Sequence, residues 1–251
     1  MIYYFILFNG EVWSKMNIDS FMTPRLLAVA DMVGDCKSLA DIGTDHAYVP
    51  VYLVEKKRAE SAIAMDINEG PLTRADENIK RFNLSDKIKT RLSDGLEKLC
   101  DNEVDTVVIA GMGGILINSI VESHKDRLTS VKRYILQPMT AIEETRKYLA
   151  ENGFNIVDET LAKEDEKIYT VICAERGKMI IENEINLLIG KHLIKKQDKI
   201  LPELISGKIY EYEQATSSMK NSTSPEIKEK QEHFAFLISE LKKLQEECRK
   251  W

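Results

Sequence analysis

A chain of 251 residues is long enough to bury a full α/β core and still carry a smaller second domain. With 43% hydrophobic and 30% charged residues the composition is ordinary for a globular protein. A net charge of −6 argues against a surface coated in Lys and Arg, so any nucleic-acid contact has to come from a local patch.

Cysteines at 36, 100, 173 and 248, with no CxxC and no Cys/His cluster, argue against a disulfide framework and against structural zinc; no metal site is expected, and a reducing cytosol fits best. No stretch approaches the roughly 20 apolar residues of a membrane span. Residues 1–15 stand apart: Met1 to Phe8 is apolar but lacks the basic flank and small-residue cleavage site of a signal peptide. Met16 is the expected natural start and 1–15 an upstream extension, with a short extra strand or arm as the alternative.

Thr23-Pro24 opens a helix, Thr as cap and Pro in the first turn; Leu26, Leu27, Ala30 and Val33 share one face, and Gly34 ends it. Strands and helices then alternate. Ser38–Gly43 reads as a buried strand, Tyr48–Lys57 as a helix with Pro50 in its first turn, Ser61–Asp66 as a second strand, and Gly70–Phe82 as an amphipathic helix. Lys87–Leu92 and Val104–Ala110 are further strands. A helix from Ile115, a strand at Arg133–Leu136, a helix over Ile142–Glu151 and a closing pair of strands at Phe154–Leu161 and Tyr169–Ala174 complete the alternation. The succession predicts a mainly parallel sheet covered by helices on both faces.

Near Arg176-Gly177-Lys178 strand signals vanish. One helical pattern runs from about Ile180 to Lys220, with a break at Leu201-Pro202; turn chemistry at Asn221–Ser224 precedes another from Pro225 to the end. Phe234, Leu237, Leu241 and Leu244 recur at helical spacing, which predicts an antiparallel helical hairpin over 177–251 behind a sheet domain over 16–176.

Ligands of open α/β sheets sit where loops leave the carboxyl ends of the strands. Those ends deliver Asp41, Gly43, Thr44, Asp45 and His46, then Asp66, then Asp94, then Ala110-Gly111-Met112-Gly113-Gly114. An acid closing the second strand, about 20 residues beyond a glycine turn, can accept hydrogen bonds from both hydroxyls of a ribose. Asp94, one strand further out, suits an adenine amino group, so the rim reads as a nucleoside site. The turn Gly43-Thr44-Asp45-His46-Ala47 lacks the G-x-G-x-x-G phosphate cradle, and Asp45 would repel an anion. A cationic cofactor without phosphate, S-adenosylmethionine, fits better than a nicotinamide dinucleotide.

The segments Asp41-Ile42-Gly43-Thr44-Asp45-His46-Ala47-Tyr48-Val49-Pro50, Ala110-Gly111-Met112-Gly113-Gly114 and Leu136-Gln137-Pro138 together resemble the bacterial tRNA (adenine-22-N1)-methyltransferase family. The resemblance is strong over Ile18–Arg176 and extends to the tail in layout more than in motif. It implies a Rossmann-like class I methyltransferase sheet, S-adenosylmethionine as cofactor, N1 of a tRNA adenosine as target, and a helical tail that helps hold tRNA. Carried over by position, Asp41, Gly43 and Asp45 line the cofactor site, Asp66 binds its ribose and Asp94 and Gly95 its adenine end, while Gly111, Met112 and Gly113 face the transferable methyl. Gln137 and Pro138 stand where adenine-N6 methyltransferases carry Asp/Asn-Pro-Pro-Tyr/Phe. Met139 and Thr140 come next instead, so no aromatic platform lies there and what stacks on the base is open.

N1 of a neutral adenine has its own lone pair and needs positioning more than a base. Asp45 is the candidate for stabilising the cationic product, with His46 orienting it or handling a proton and Gln137 as a third catalytic candidate; packing of the loop is the plainer role for His46. Arg25, Lys191, Lys195 and Lys196 are the candidate RNA contacts, although such runs are often solvated helix faces. No obligate protein partner is implied. The alternatives are a methyltransferase acting on another RNA or on a small molecule, and a non-catalytic RNA-binding protein with a vestigial cofactor fold.

Overall fold

The computed structural model describes residues 17–220 and 224–251 in full and, before them, the backbone of two short strands, Phe5–Phe8 (β1) and Glu11–Ser14 (β2). These two pair antiparallel in a sheet of their own. The expected start at Met16 and the predicted turn residues Asn221–Thr223 fall outside the described residues.

A 3₁₀ turn over Ile18–Phe21 leads into α1 (Pro24–Val33), where Thr23 Oγ1 accepts the Leu26 N–H at 3.4 Å and Gly34, at φ +64°, ends the helix as its sequence predicts. Then come β3 (Cys36–Ile42), α2 (Tyr48–Glu55), β4 (Ala59–Asp66), α3 (Glu69–Arg81) and β5 (Ile88–Leu92). The second half of the sheet domain supplies β6 (Thr106–Met112), α4 (Gly114–Glu122), β7 (Arg133–Pro138), α5 (Ile142–Glu151), β8 (Phe154–Glu164) and β9 (Lys167–Arg176). The seven-stranded sheet has the order β5-β4-β3-β6-β7-β9-β8. Strands β5 to β7 are parallel, and β9 alone runs antiparallel, between β7 and β8.

The chain leaves β3 toward β4 and β5, then returns to build β6 and β7 on the other side. That reversal opens a crevice at the carboxyl ends of β3 and β6. One face of the sheet is covered by α1, α2 and α3 through residues such as Val29, Leu53 and Ile79; the other by α4 and α5 through Ile117, Val121 and Leu149. Because both faces are buried at the centre of the sheet, β6 and β7 read as short continuous apolar runs, Val107–Ala110 and Tyr134–Leu136, while β5 at the edge, Ile-Lys-Thr-Arg-Leu, does not.

The tail departs from its predicted outline. Residues 178–182 are not helical; helix starts at Glu184, passes through a π-helical turn over Asn186–Gly190 into α6 (Lys191–Lys196), and stops at Gln197, whose φ is +55°. Asp198 Oδ1 accepts the Ile200 N–H at 2.9 Å, and Leu201-Pro202, expected as the break, instead opens α7 (Leu201–Ser218). A proline in the first turn removes an N–H that has no helical partner, so it starts this helix rather than interrupting one. The last helix, α8 (Pro225–Cys248), packs along α7 through Ile205, Ile209, Leu241 and Leu244, and this third core reaches Leu161 of β8. Among the described residues no helix is long and apolar enough to cross a membrane.

Candidate active site

The loop after β3 is folded back against β4: the Gly43 and Thr44 N–H groups both donate to Met65 O, at 2.8 and 3.0 Å. Gly43 lies at φ +73°, a conformation that favours glycine, and a Cβ there would displace the end of the Met112 side chain. Gly111 sits at φ +81° at the end of β6. Between them is a cavity of about 330 Å³ lined by Asp41, Gly43, Thr44, Asp45, Gly111 and Arg25, among others.

Asp41 is buried at the cavity wall. Loss of solvent pushes its carboxyl up to about 6; a hydrogen bond from Thr44 works in the opposite direction, and the neighbouring charge of Asp66 adds to the rise. Asp66 closes β4, with Oδ1 accepting the Asn68 N–H at 2.8 Å. Asp94 is exposed beyond β5 in a turn in which Gly95 takes φ +49° and Ser93 Oγ ties Gly95 O to the Lys98 N–H. Two apolar side chains, Ile67 and Leu92, stand exposed directly after β4 and at the end of β5.

The structure brings Asp45 and His46 together, with His46 Nε2 3.3 Å from Asp45 Oδ2, and adds two residues that sequence reasoning had given no role in this site. Arg74 of α3 reaches over to Asp45 Oδ1, donating from Nε at 2.9 Å and also from Nη2. Tyr48 stacks on the His46 ring, with centroids 5.0 Å apart and planes 9° apart, and Phe21 stacks on the other side of Tyr48 at 5.3 Å. Tyr48 lies within the motif segment, so its position was legible. Arg74 reads in the sequence only as one of the positive charges of the sheet domain, and nothing in its amphipathic helix marks Asp45 as its partner.

Gln137 is fully buried, so as placed it lies beneath the rim rather than facing a substrate. Its Oε1 accepts the Gly111 N–H at 3.1 Å and Arg25 Nη1 at 3.0 Å, tying the β6 turn to β7 and α1. Arg25 therefore lines the cavity, its guanidinium 5.6 Å from the Tyr169 ring centre, rather than a remote surface. The loops after β6 and β7 are joined by Met139 N–H to Met112 O at 2.8 Å and Gly114 N–H to Thr140 O at 2.9 Å. Gly113 sits against Thr140 at this junction.

The tail lysines are elsewhere. Lys196 is ion-paired with Asp158 and also donates to Glu159 O at 3.3 Å, so it fastens α6 to β8. Lys191 pairs with Glu182. Lys191 and Lys195 line a separate, larger cavity of about 580 Å³ with Lys178 and His192, beside Asn155–Val157 at the start of β8. That start pairs through β9 with the first residues of β7, so this cavity lies at the amino end of the sheet, opposite the rim.

A family model described as tRNA (adenine(22)-N(1))-methyltransferase matches residues 39–243. The Bacillus subtilis (strain 168) protein of that name is 37% identical over 184 residues, covering 71% of this chain and 77% of the relative. Streptococcus pneumoniae Sp1610, solved in complex with S-adenosyl-L-methionine, superposes with a TM-score of 0.79 at 32% identity, covering 89% of this chain and 99% of that one. TrmK of M. capricolum, solved with S-adenosyl-homocysteine, gives 0.74 at 28% identity, covering 88% and 96%.

Proposed function

The chain belongs to the tRNA (adenine(22)-N(1))-methyltransferase family, and from that premise we propose that it transfers a methyl group from S-adenosylmethionine to N1 of an adenosine in tRNA. The observation that carries the reading is the reach of the family match, which spans the sheet and most of the tail. Position 22 comes from that membership alone.

The rim fits the cofactor. Gly43 and Gly111 line the cavity with backbone at positive φ, and Asp41 and Asp45 give its wall a negative character suited to a cation. Asp66 is placed to accept from ribose hydroxyls, with Ile67 and Leu92 as apolar walls for the adenine and the Asp94–Gly95 turn beyond them. When bound, S-adenosylmethionine supplies an electrophilic methyl on a positively charged sulfur.

What remains for this chain's own side chains is placement and charge. N1 of adenine presents a lone pair at neutral pH, so Gln137 serves by fixing Gly111 and Arg25 rather than by removing a proton. The methylated base is cationic, and the carboxylates at the cavity favour it. Asp45 shares its charge with Arg74 and His46, so its contribution is smaller than an unpaired carboxylate would give. The tail, fastened along β8, extends the surface available to a folded RNA, which is recognised mostly through shape and backbone. The free cysteines and a tRNA substrate support a cytosolic setting.

The test is methyl transfer from labelled S-adenosylmethionine to unmodified tRNA, with nucleoside analysis of the product. N1-methyladenosine is expected. Sound cofactor binding with no transfer to tRNA would move the acceptor to another RNA or a small molecule.

A further inference from the structure

Three large apolar side chains stand in solvent on the acceptor side of the rim. Ile115 is 63% exposed, Leu116 54% and Met139 42%. Ile115 and Leu116 lie in the first turn of α4 and Met139 directly after β7, and the Met112–Met139 and Gly114–Thr140 backbone hydrogen bonds hold these segments side by side next to Gly111–Gly113. The first turn of α4 already sends Gly114 and Ile117 inward, which leaves Ile115 and Leu116 without a core to join. The patch is also rigidly held: a Cβ on Gly114 would overlap Ala141 O and Thr145 Oγ1, so the starts of α4 and α5 are in close contact.

The nucleoside of the cofactor does not account for this patch. Ile67 and Leu92 serve it from β4 and β5, on the other side of the β3 loop from β6 and β7. The acceptor side pairs its apolar group with a cation, since Arg25 Nη1 lies close to Gly111 and is held by Gln137. Apolar faces beside a positive charge complement stacked bases on an anionic backbone.

We propose that Ile115, Leu116 and Met139 form a wedge that enters the base stack of tRNA beside the target adenosine and fills the gap left when that base turns toward the cavity. The proposal rests on the tRNA-methylating reading. N1 lies on the Watson–Crick edge, so the target has to leave its pair and its stack before it can meet the methyl. Apolar side chains inserted between bases are a general means of offsetting lost stacking. Ile115 and Leu116 stand on the first turn of α4, and Met139 on the loop bonded to that turn, which gives the insertion a fixed direction.

The test uses full-length protein, S-adenosylhomocysteine, and tRNA carrying 2-aminopurine at the adenosine mapped by the methylation assay. Wild-type protein should raise the probe's fluorescence severalfold on binding. The Ile115→Ala/Leu116→Ala variant, in which alanine preserves the helix, should bind the same tRNA within about threefold yet leave the fluorescence near that of free tRNA. Its kcat on unmodified tRNA should fall at least tenfold with little change in KM or in S-adenosylhomocysteine affinity. Leu116→Met, which keeps an apolar wedge, should retain most of both signals.

An equal fluorescence rise in the double variant would overturn the wedge, as would a methylating wild-type enzyme that produces no rise. A wild-type dimer that the double variant turns into a monomer would assign the patch to a second copy of the chain and overturn the wedge equally. A wild-type protein that binds cofactor and transfers nothing to tRNA would instead refute the functional reading beneath it.

Discussion

The rim of the sheet and the seam between sheet and tail each set an arginine against a carboxylate, with opposite consequences. At the rim, Arg74 and Asp45 meet in solvent, their side chains 47% and 61% exposed. At the seam, Arg146 of α5 and Glu159 of β8 are 2% and 1% exposed, with Nε donating to Oε1 at 2.7 Å. The remaining donors of Arg146 go to the carbonyls of Leu187, Leu188 and Ile189, at 2.7 to 3.1 Å, where the π-helical turn leaves them turned toward α5. Gly190, at φ +104°, ends that turn where a Cβ would collide with Glu159 and Arg146. An exposed pair is worth about 0–1 kcal/mol, whereas breaking a buried one typically costs about 3–5 kcal/mol. Rim charges can therefore rearrange around a substrate, while those at the seam fix where the tail stands.

The largest effect should come from breaking the seam. Arg146→Ala strands Glu159 and three carbonyls, and a stability loss of about 3–5 kcal/mol is expected in denaturant unfolding, with earlier proteolysis at residues 178–184. Arg146→Met with Glu159→Leu should lose much less, because no charge is then left buried. Equal losses in the two variants would mean that packing, not charge, holds the tail. At the rim the corresponding change is Asp66→Ala. Charge-assisted hydrogen bonds contribute about 1.5–3 kcal/mol each, so losing both ribose bonds should weaken S-adenosylmethionine binding by about a hundredfold or more, with unfolding almost unchanged. Normal calorimetric affinity would remove Asp66 from the site.

The same contrast explains what the sequence disclosed. Rim residues sit at fixed offsets from buried strands, so Asp41, Asp66, Asp94 and the turns at Gly43 and Gly111 were legible from apolar runs and the polar or glycine residues at their carboxyl ends. Arg146 reads as one more charge in Glu-Glu-Thr-Arg-Lys, and Glu159 as an outward residue beside Asp158. Their meeting depends on how α5, β8 and the π-helical turn pack, which no local period encodes. Lys196 shows the same limit from the other side: its spacing suggests an RNA-facing stripe and cannot show its partner, Asp158 across the seam. At Gln197 a left-handed residue that is neither Gly nor Asn ends α6 and gives no local warning.

Asp41 offers a finer test of the rim, through pH. Burial raises its carboxyl from 3.8 to about 6, so the folded chain holds this proton more tightly than the unfolded chain does. On its account stability is greatest below about pH 4, falls as pH rises toward 6, and is lowest above that. Asp41→Asn should therefore stabilise the fold at pH 7.5 by up to roughly 2–3 kcal/mol and give no gain at pH 4. Its affinity for cationic S-adenosylmethionine should drop more than its affinity for S-adenosylhomocysteine. Thermal melts at the two pH values and paired calorimetry check both; a gain that persists at pH 4 would place the effect in packing rather than ionisation.

The smallest expected effect separates two kinds of lysine on the tail side. Lys178 and Lys195 border the cavity at the amino end of the sheet, whereas Lys196 is committed to Asp158. If RNA backbone reaches that cavity, each lysine neutralises about one phosphate, and Lys178→Ala/Lys195→Ala should make the slope of log affinity against log salt shallower by about 2, with kcat unchanged. Lys196→Ala should leave the slope alone and loosen the seam instead, seen as easier unfolding of the tail. The rim and this cavity face opposite ends of the sheet, so a changed slope would require tRNA to run along the β8 edge, past α6, to span both. An unchanged slope would confine the RNA to the rim and α7–α8, leaving the lysines as a solvated helix face.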